Sequence, residues 1–359
     1  MEMRIVMVAP PWFEVPPRAY GGIESVCYEL VQGLLARGHD VTLIAAGRNH
    51  SDGRFVATYR VPPPGLGKPE ATILELVHSA RAARAIEAIE PDLVHDHSLA
   101  GPLVALGRRH PTLVTVHGPV GGNEAEFYRS LAPEVSLVAL SRAQRRQAPD
   151  LHWAGVVHNG IRVSEYPFRS RKSEYLLFLG RMSPDKGPDI AIDLARDVGL
   201  PLIIAAKCAE PKERTYFDER IRPRLGAGVE WFGEADAREK KQLLAGARCL
   251  LSPLQWEEPF GLVFIEALAC GTPVAALRRG SVPEILVDGV TGFIRNQPDE
   301  LSEAMLRIET IDPLACRRHV ERHFTVEHMV SGYEEVYTRV LADRASDQRT
   351  ERLLTGLPA

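Results

Sequence analysis

The chain has 359 residues, 45% of them hydrophobic and 25% charged, the balance of a folded globular protein with material for about two domains, which excludes a single small module and extensive disorder. Forty-three Lys plus Arg against 47 Asp plus Glu give a formal charge of −4, so no global pull toward nucleic acid or an anionic membrane is expected and any anion must be recognised locally. The five cysteines, Cys27, Cys208, Cys249, Cys270 and Cys316, are odd in number and far apart, without zinc or disulfide spacing, and no apolar run reaches membrane-spanning length. A reducing, cytoplasmic setting follows as the expectation.

Short apolar runs alternate with helical patterns from the start, which predicts βαβ units, a parallel sheet and the α/β class. Arg4 to Ala9 reads as a strand, Pro10 to Gly22 as a proline-rich loop, Ile23 to Arg37 as an amphipathic helix closed by Gly38, and Val41 to Ala45 as the next strand. A helix across Ile73 to Ile89 and strands at Leu93 to His95, Leu113 to Val116, Val135 to Leu140 and Val156 to His158 continue the series. Arg162 to Ser173 is composed as a linker, and a second series follows with strands at Tyr175 to Leu179, Leu202 to Ala206, Val229 to Phe232, Cys249 to Ser252 and Pro273 to Ala276. The predicted division is 1–165 and 166–324 for two Rossmann-like domains, 325–344 for a helix returning to the first domain, and 345–359 for a flexible tail.

Ligands of open parallel sheets bind beyond the carboxyl ends of the strands, so the residues just after each apolar run are the candidates. After the first strand, Gly21-Gly22-Ile23-Glu24 sets two glycines at a helix N-terminus, where backbone amides and the helix dipole suit an anion. His117 and Gly118 follow the strand ending at Val116. His95, Asp96, His97 and Ser98 form a second polar cluster, but neighbouring strand residues point to opposite faces, so no metal site is predicted there. In the second half, Gly180-Arg181 through Lys186-Gly187 places two cations in a glycine-flanked turn before a helix, a cradle for a diphosphate. Glu258 in Trp256-Glu257-Glu258-Pro259-Phe260-Gly261 and Glu266 in the following helix can both face a ligand at that helix's N-terminus, near Leu262 and Val263. Glu266 lies on an otherwise apolar helix and needs a partner, which points to a ligand.

These segments resemble the retaining glycosyltransferases of family 4. The resemblance rests on Gly21-Gly22, Thr115-Val116-His117-Gly118, Asn159-Gly160-Ile161, the Gly180 to Gly187 turn, Glu258 with Glu266, Gly271-Thr272-Pro273-Val274 and Gly280-Ser281-Val282-Pro283-Glu284, and covers nearly the whole chain. It implies a GT-B fold, in which two Rossmann-like domains face each other across a cleft, and transfer of a sugar from a nucleoside diphosphate sugar, UDP-linked by frequency in the family, to an acceptor hydroxyl. It further implies that Arg181 and Lys186 neutralise the departing diphosphate, Glu258 binds the transferred sugar, Glu266 binds the ribose and His117 approaches the sugar ring. Gly21, Gly22, Gly180, Phe260, Gly261, Leu262 and Val263 would complete the donor site, and Trp12, Tyr20 and Tyr128 are the acceptor candidates. No cofactor and no metal are expected, and the acceptor is expected to be a small molecule or glycan, with no nucleic acid as partner; contact with a membrane stays open but is not favoured. Arg162 departs from the family, which commonly has Asp there. A glycosyl phosphorylase and a non-catalytic nucleotide-sugar-binding protein are the alternatives on the same architecture.

Overall fold

The computed structural model describes residues 2–66 and 68–355, with side chains through residue 346. The first sheet is built from β1 (Arg4–Val8), β2 (Asp40–Ala46), β3 (Arg54–Tyr59), β4 (Leu93–Asp96), β5 (Thr112–Val116), β6 (Val135–Ala139) and β7 (Trp153–Val156). Its seven strands run in the order β3-β2-β1-β4-β5-β6-β7, and all neighbours are parallel. The second sheet holds β8 (Leu176–Arg181), β9 (Leu202–Lys207), β10 (Val229–Gly233), β11 (Cys249–Ser252), β12 (Val274–Leu277) and β13 (Gly292–Arg295), parallel in the order β10-β9-β8-β11-β12-β13. The strand order reverses beside β1 in one sheet and beside β8 in the other, and crevices form at such switch points.

Buried strands with continuous apolar runs lie where the sequence places them, whereas the edges differ. Strand β3 is an edge whose half-exposed RFVATY carries no apolar run, β13 is an edge of four residues, and β7 starts three residues before the expected Val156. An edge buries fewer side chains and therefore writes a weaker pattern.

The C-terminal helix Val326–Thr355 lays Val326, Met329, Val330, Tyr333, Val336, Tyr337 and Val340 into the first domain's core, an apolar stripe at helical spacing. It runs beside the helix Gly22–Ala36, and Gly33 makes the close approach possible, since a Cβ there would lie 2.5 Å from Val330. The tail expected over 345–359 is helical to Thr355, because its Ala, Arg, Glu and Leu residues continue the helix without Gly or Pro. The rest of that segment lies outside the described residues.

The chain crosses between the domains twice, and the crossings touch. Ile161 N–H donates to Phe324 O at 2.9 Å, and a Cβ on Gly160 would lie 2.1 Å from Thr325 O. The segment after Ile161 is packed rather than loose: Val163 and Tyr166 are buried in the second domain's core. Arg162 pairs with Glu29 of the first domain at 3.2 Å, which accounts for a cation at this position.

Candidate active site

The cleft between the domains collects the loops that follow β1, β5, β8 and β11. On the second-domain wall, β8 runs into a turn that ends at Gly187, whose φ of 73° and 2.4 Å approach of a Cβ to Pro253 O leave room only for glycine. Arg181 donates to Asp185 at 3.1 Å. Lys186 Nζ reaches Glu258 Oε2 at 2.5 Å and stands 4.5 Å from the centre of the Trp256 ring, while Trp256 Nε1 donates to the same carboxylate oxygen at 3.1 Å. Glu258 is only 8% exposed, so this cation and indole are what make its charge tolerable.

The loop bearing Glu258 is held from below by Gly280 and Ser281. Ser281 N–H donates to Glu258 O at 2.9 Å, Ser281 Oγ donates to Phe260 O at 2.7 Å, and a Cβ on Gly280 would lie 2.2 Å from Glu258 O. Glu284 of the same segment accepts from the N–H groups of Arg142 and Ala143 at 2.9 and 2.6 Å, capping a first-domain helix across the interface.

Gly261, with φ of 80°, turns the chain into the helix Leu262–Ala269, and Phe260 through Val263 line the cleft where its leading N–H groups lack intrahelical partners. An anion there meets a helix N-terminus flanked by Arg181 and Lys186. Glu266 also lines the cleft and has partners within the protein. Lys240 Nζ lies 2.6 Å from Glu266 Oε1, and Tyr166 OH donates to the same oxygen at 3.0 Å. Neither Lys240 nor Tyr166 was recoverable from spacing, because they lie 26 and 100 residues away in the chain.

The first-domain wall carries Trp12, Tyr20, Gly21, Gly22, Glu24 and His117. Gly21 takes a φ of 148°, and a Cβ there would lie 2.6 Å from Pro17. Its loop bridges the cleft: Tyr20 N–H donates to Glu234 at 3.3 Å, Ala237 N–H donates to Arg18 O at 3.2 Å, and Lys207 stands 5.4 Å from the Tyr20 ring centre. Burial pushes the Tyr20 hydroxyl up to about 12. His117 Nε2 shares a hydrogen bond with His97 Nδ1 at 2.8 Å, and burial lowers His117 to about 3, so the ring is neutral at neutral pH. Below it, His95 bonds Tyr337 OH and Thr115 Oγ1 at 2.7 Å each, tying the strand tips to the C-terminal helix. Tyr128 does not reach the cleft: it is 7% exposed in a first-domain cluster with Val114, Leu131 and Leu137, because its helix turns that face inward. Among the described residues, no group of three or more His, Cys, Asp or Glu side chains is placed to hold a metal ion.

Two Rossmann-like domains across a cleft, with a helix N-terminus, two cations and two buried carboxylates on one wall, define a GT-B glycosyltransferase. A family model described as Glycosyltransferase Family 4 matches residues 20–165, and one described as Glycosyl transferases group 1 matches residues 165–321. The chain belongs to the group 1, family 4 glycosyltransferases. It is 26% identical to glycogen synthase of Mycobacterium tuberculosis (strain ATCC 25618 / H37Rv), with 88% of each chain covered. It is 28% identical to phosphatidyl-myo-inositol mannosyltransferase of Propionibacterium freudenreichii subsp. shermanii, covering 85% of this chain and 86% of the relative. Among solved structures, AviGT4, a glycosyltransferase involved in avilamycin A biosynthesis, is 27% identical with a TM-score of 0.70, covering 95% of this chain and 98% of its own. HepE of Anabaena, solved with UDP and glucose, shares the fold at a TM-score of 0.75 and 18% identity, over 94% of this chain and 100% of its own.

Proposed function

We propose that the protein moves a hexosyl group from a nucleoside diphosphate sugar, UDP-linked, to an acceptor hydroxyl of a small molecule or glycan, with retention of anomeric configuration and without a metal ion. The observation that carries this reading is the cluster of Lys186, Glu258 and Trp256 beside Arg181 at the N-terminus of the helix Leu262–Ala269. A diphosphate seated there draws Lys186 and Arg181 to its oxygens, and the charge that develops as it leaves is met by fixed cations and helix amides. Glu258, exchanging Lys186 for ligand hydroxyls, then orients the sugar, while Glu266 with Lys240 serves the ribose. The acceptor hydroxyl attacks the anomeric carbon on the face that the diphosphate leaves, and its proton passes to the departing phosphate oxygen, so no protein nucleophile is consumed.

The relatives' names range from glycogen synthase to phosphatidyl-myo-inositol mannosyltransferase, so they support glycosyl transfer and favour no one acceptor. The test is transfer from sugar nucleotides by chelator-treated protein, with the product's anomeric configuration read by NMR. The proposal expects the configuration of the donor to be kept, and expects folded Glu258→Gln and Lys186→Ala variants to lose most transfer. Inversion, dependence on added metal, or full activity in both variants would overturn the corresponding part.

A further inference from the structure

Six carboxyl side chains are buried among the described residues: Glu24, Glu75, Asp96, Glu213, Glu258 and Glu266. Other residues hold five of them. Glu75 accepts from Leu99 N–H at 3.0 Å, Asp96 from Ser98 Oγ at 2.7 Å and Glu213 from Lys207 at 3.1 Å, while Glu258 and Glu266 have the lysines described above. Glu24 is the exception. It is 4% exposed, and the hydrogen bond it makes is to its own backbone amide. Burial, with Glu75 nearby, pushes its carboxyl up to about 8. A buried carboxyl held by no other residue is costly, and a chain that pairs its other buried acids leaves this one open on a cleft wall.

A second buried polar group lines the same cleft. Asn159, 3% exposed at the domain crossing, has a buried Oδ1 with no partner. Glu24 lies beneath the Gly21 turn, where a Cβ would come 3.2 Å from its Oε2, on the wall that also presents Trp12 and Tyr20. The cations that suit a diphosphate, Arg181 and Lys186, belong to the other wall. Carboxyl and carboxamide groups beside aromatic rings suit a neutral molecule rich in hydroxyls, whose O–H groups both donate and accept.

We propose that Glu24, with Asn159, binds hydroxyl groups of a polyhydroxylated acceptor seated against the first domain, an assignment that rests on the glycosyl-transfer reading above. The experiment takes whichever of UDP-glucose, GDP-mannose and ADP-glucose the wild type hydrolyses fastest. It measures how the released sugar divides between water and added glycerol, maltose or myo-inositol, in wild type, Glu24→Leu and Glu24→Gln. The expected result is that Glu24→Leu keeps hydrolysis within about twofold and keeps the stabilisation by the matching nucleoside diphosphate, while transfer to the polyols falls by about tenfold or more and Glu24→Gln recovers part of it. The leucine variant is also expected to be at least as resistant to heat as wild type, because it replaces a buried carboxyl that no other residue holds by an apolar group of similar size.

Equal loss of hydrolysis and polyol transfer would place Glu24 on the donor side and overturn the proposal, as would an unchanged division between water and polyol. A large fall in thermal stability of the leucine variant would show a structural carboxyl and overturn it as well. Absence of both hydrolysis and nucleotide binding in wild type would refute the parent reading, and this assignment with it.

Discussion

Replacing Lys186 with Met strips Glu258 of its cation and leaves the carboxylate in place with Trp256 Nε1 as its remaining side-chain donor. The pair is close, at 2.5 Å, and the two side chains are 18% and 11% exposed, so solvent screens it weakly. Breaking a fully buried pair costs about 3–5 kcal/mol, and with one side open to the cleft the expected loss in the ligand-free protein is about 2–3 kcal/mol. Glu258→Gln leaves Lys186 over the Trp256 ring, a partly compensated cation, and is expected to cost about 1–2 kcal/mol. The double variant buries neither charge, so its loss should fall short of the sum by about 2 kcal/mol. Urea unfolding of the four proteins measures this coupling directly, and titration with nucleoside diphosphate on the same samples should show affinity lowered at least about tenfold in Lys186→Met. Additive stability losses, or unchanged nucleotide affinity, would refute the account of this cluster.

Glu24 makes stability depend on pH. Its folded-state carboxyl is raised from 4.5 to about 8, so the folded protein holds this proton more tightly than the unfolded chain, and stability present in acid is lost as pH rises through that window. At about 1.4 kcal/mol per unit the loss is on the order of 4 kcal/mol, and Glu24→Gln should remove it, read as a shrinking wild-type-minus-variant stability between about pH 5 and about pH 9; parallel profiles would contradict it. At the domain crossing, Gly160→Ala would set a Cβ 2.1 Å from Thr325 O, a backbone atom that cannot turn aside. The expected cost is about 3 kcal/mol or more, seen as a lowered unfolding midpoint, and a midpoint equal to wild type would show that the two crossings part easily.

The second-domain wall of the cleft was legible in the sequence because its residues sit in short contiguous segments at or just after the ends of buried strands. Arg181 ends β8 and Lys186 follows it, and Glu258 and Gly261 follow β11, so looking at strand ends was enough to pick out these cleft residues. Four things were not written locally. The edge strands β3 and β13 and the start of β7 lack the double-sided burial that produces an apolar run. Lys240 and Tyr166 reach Glu266 only through the tertiary fold, so the partners of this buried carboxylate are not written in its own segment. Tyr128 sits beside exposed Arg129 in sequence, yet its own side of the helix packs into the core, a distinction that scattered aromatic residues do not announce. Glu24 belonged to a recognised glycine segment, but its isolation emerges only when every other buried carboxyl is seen to have a partner.

The central claim is that the second-domain wall holds a nucleoside diphosphate, and thermal unfolding with UDP, GDP, ADP and NAD tests it most directly. A ligand at about 100 times its dissociation constant adds roughly 2.7 kcal/mol of stability, enough to move the midpoint visibly. The account predicts a shift with a nucleoside diphosphate, UDP foremost, that is lost in Lys186→Met, and none with NAD. Midpoints unchanged by all three diphosphates, or a shift that survives loss of Lys186 undiminished, would contradict it.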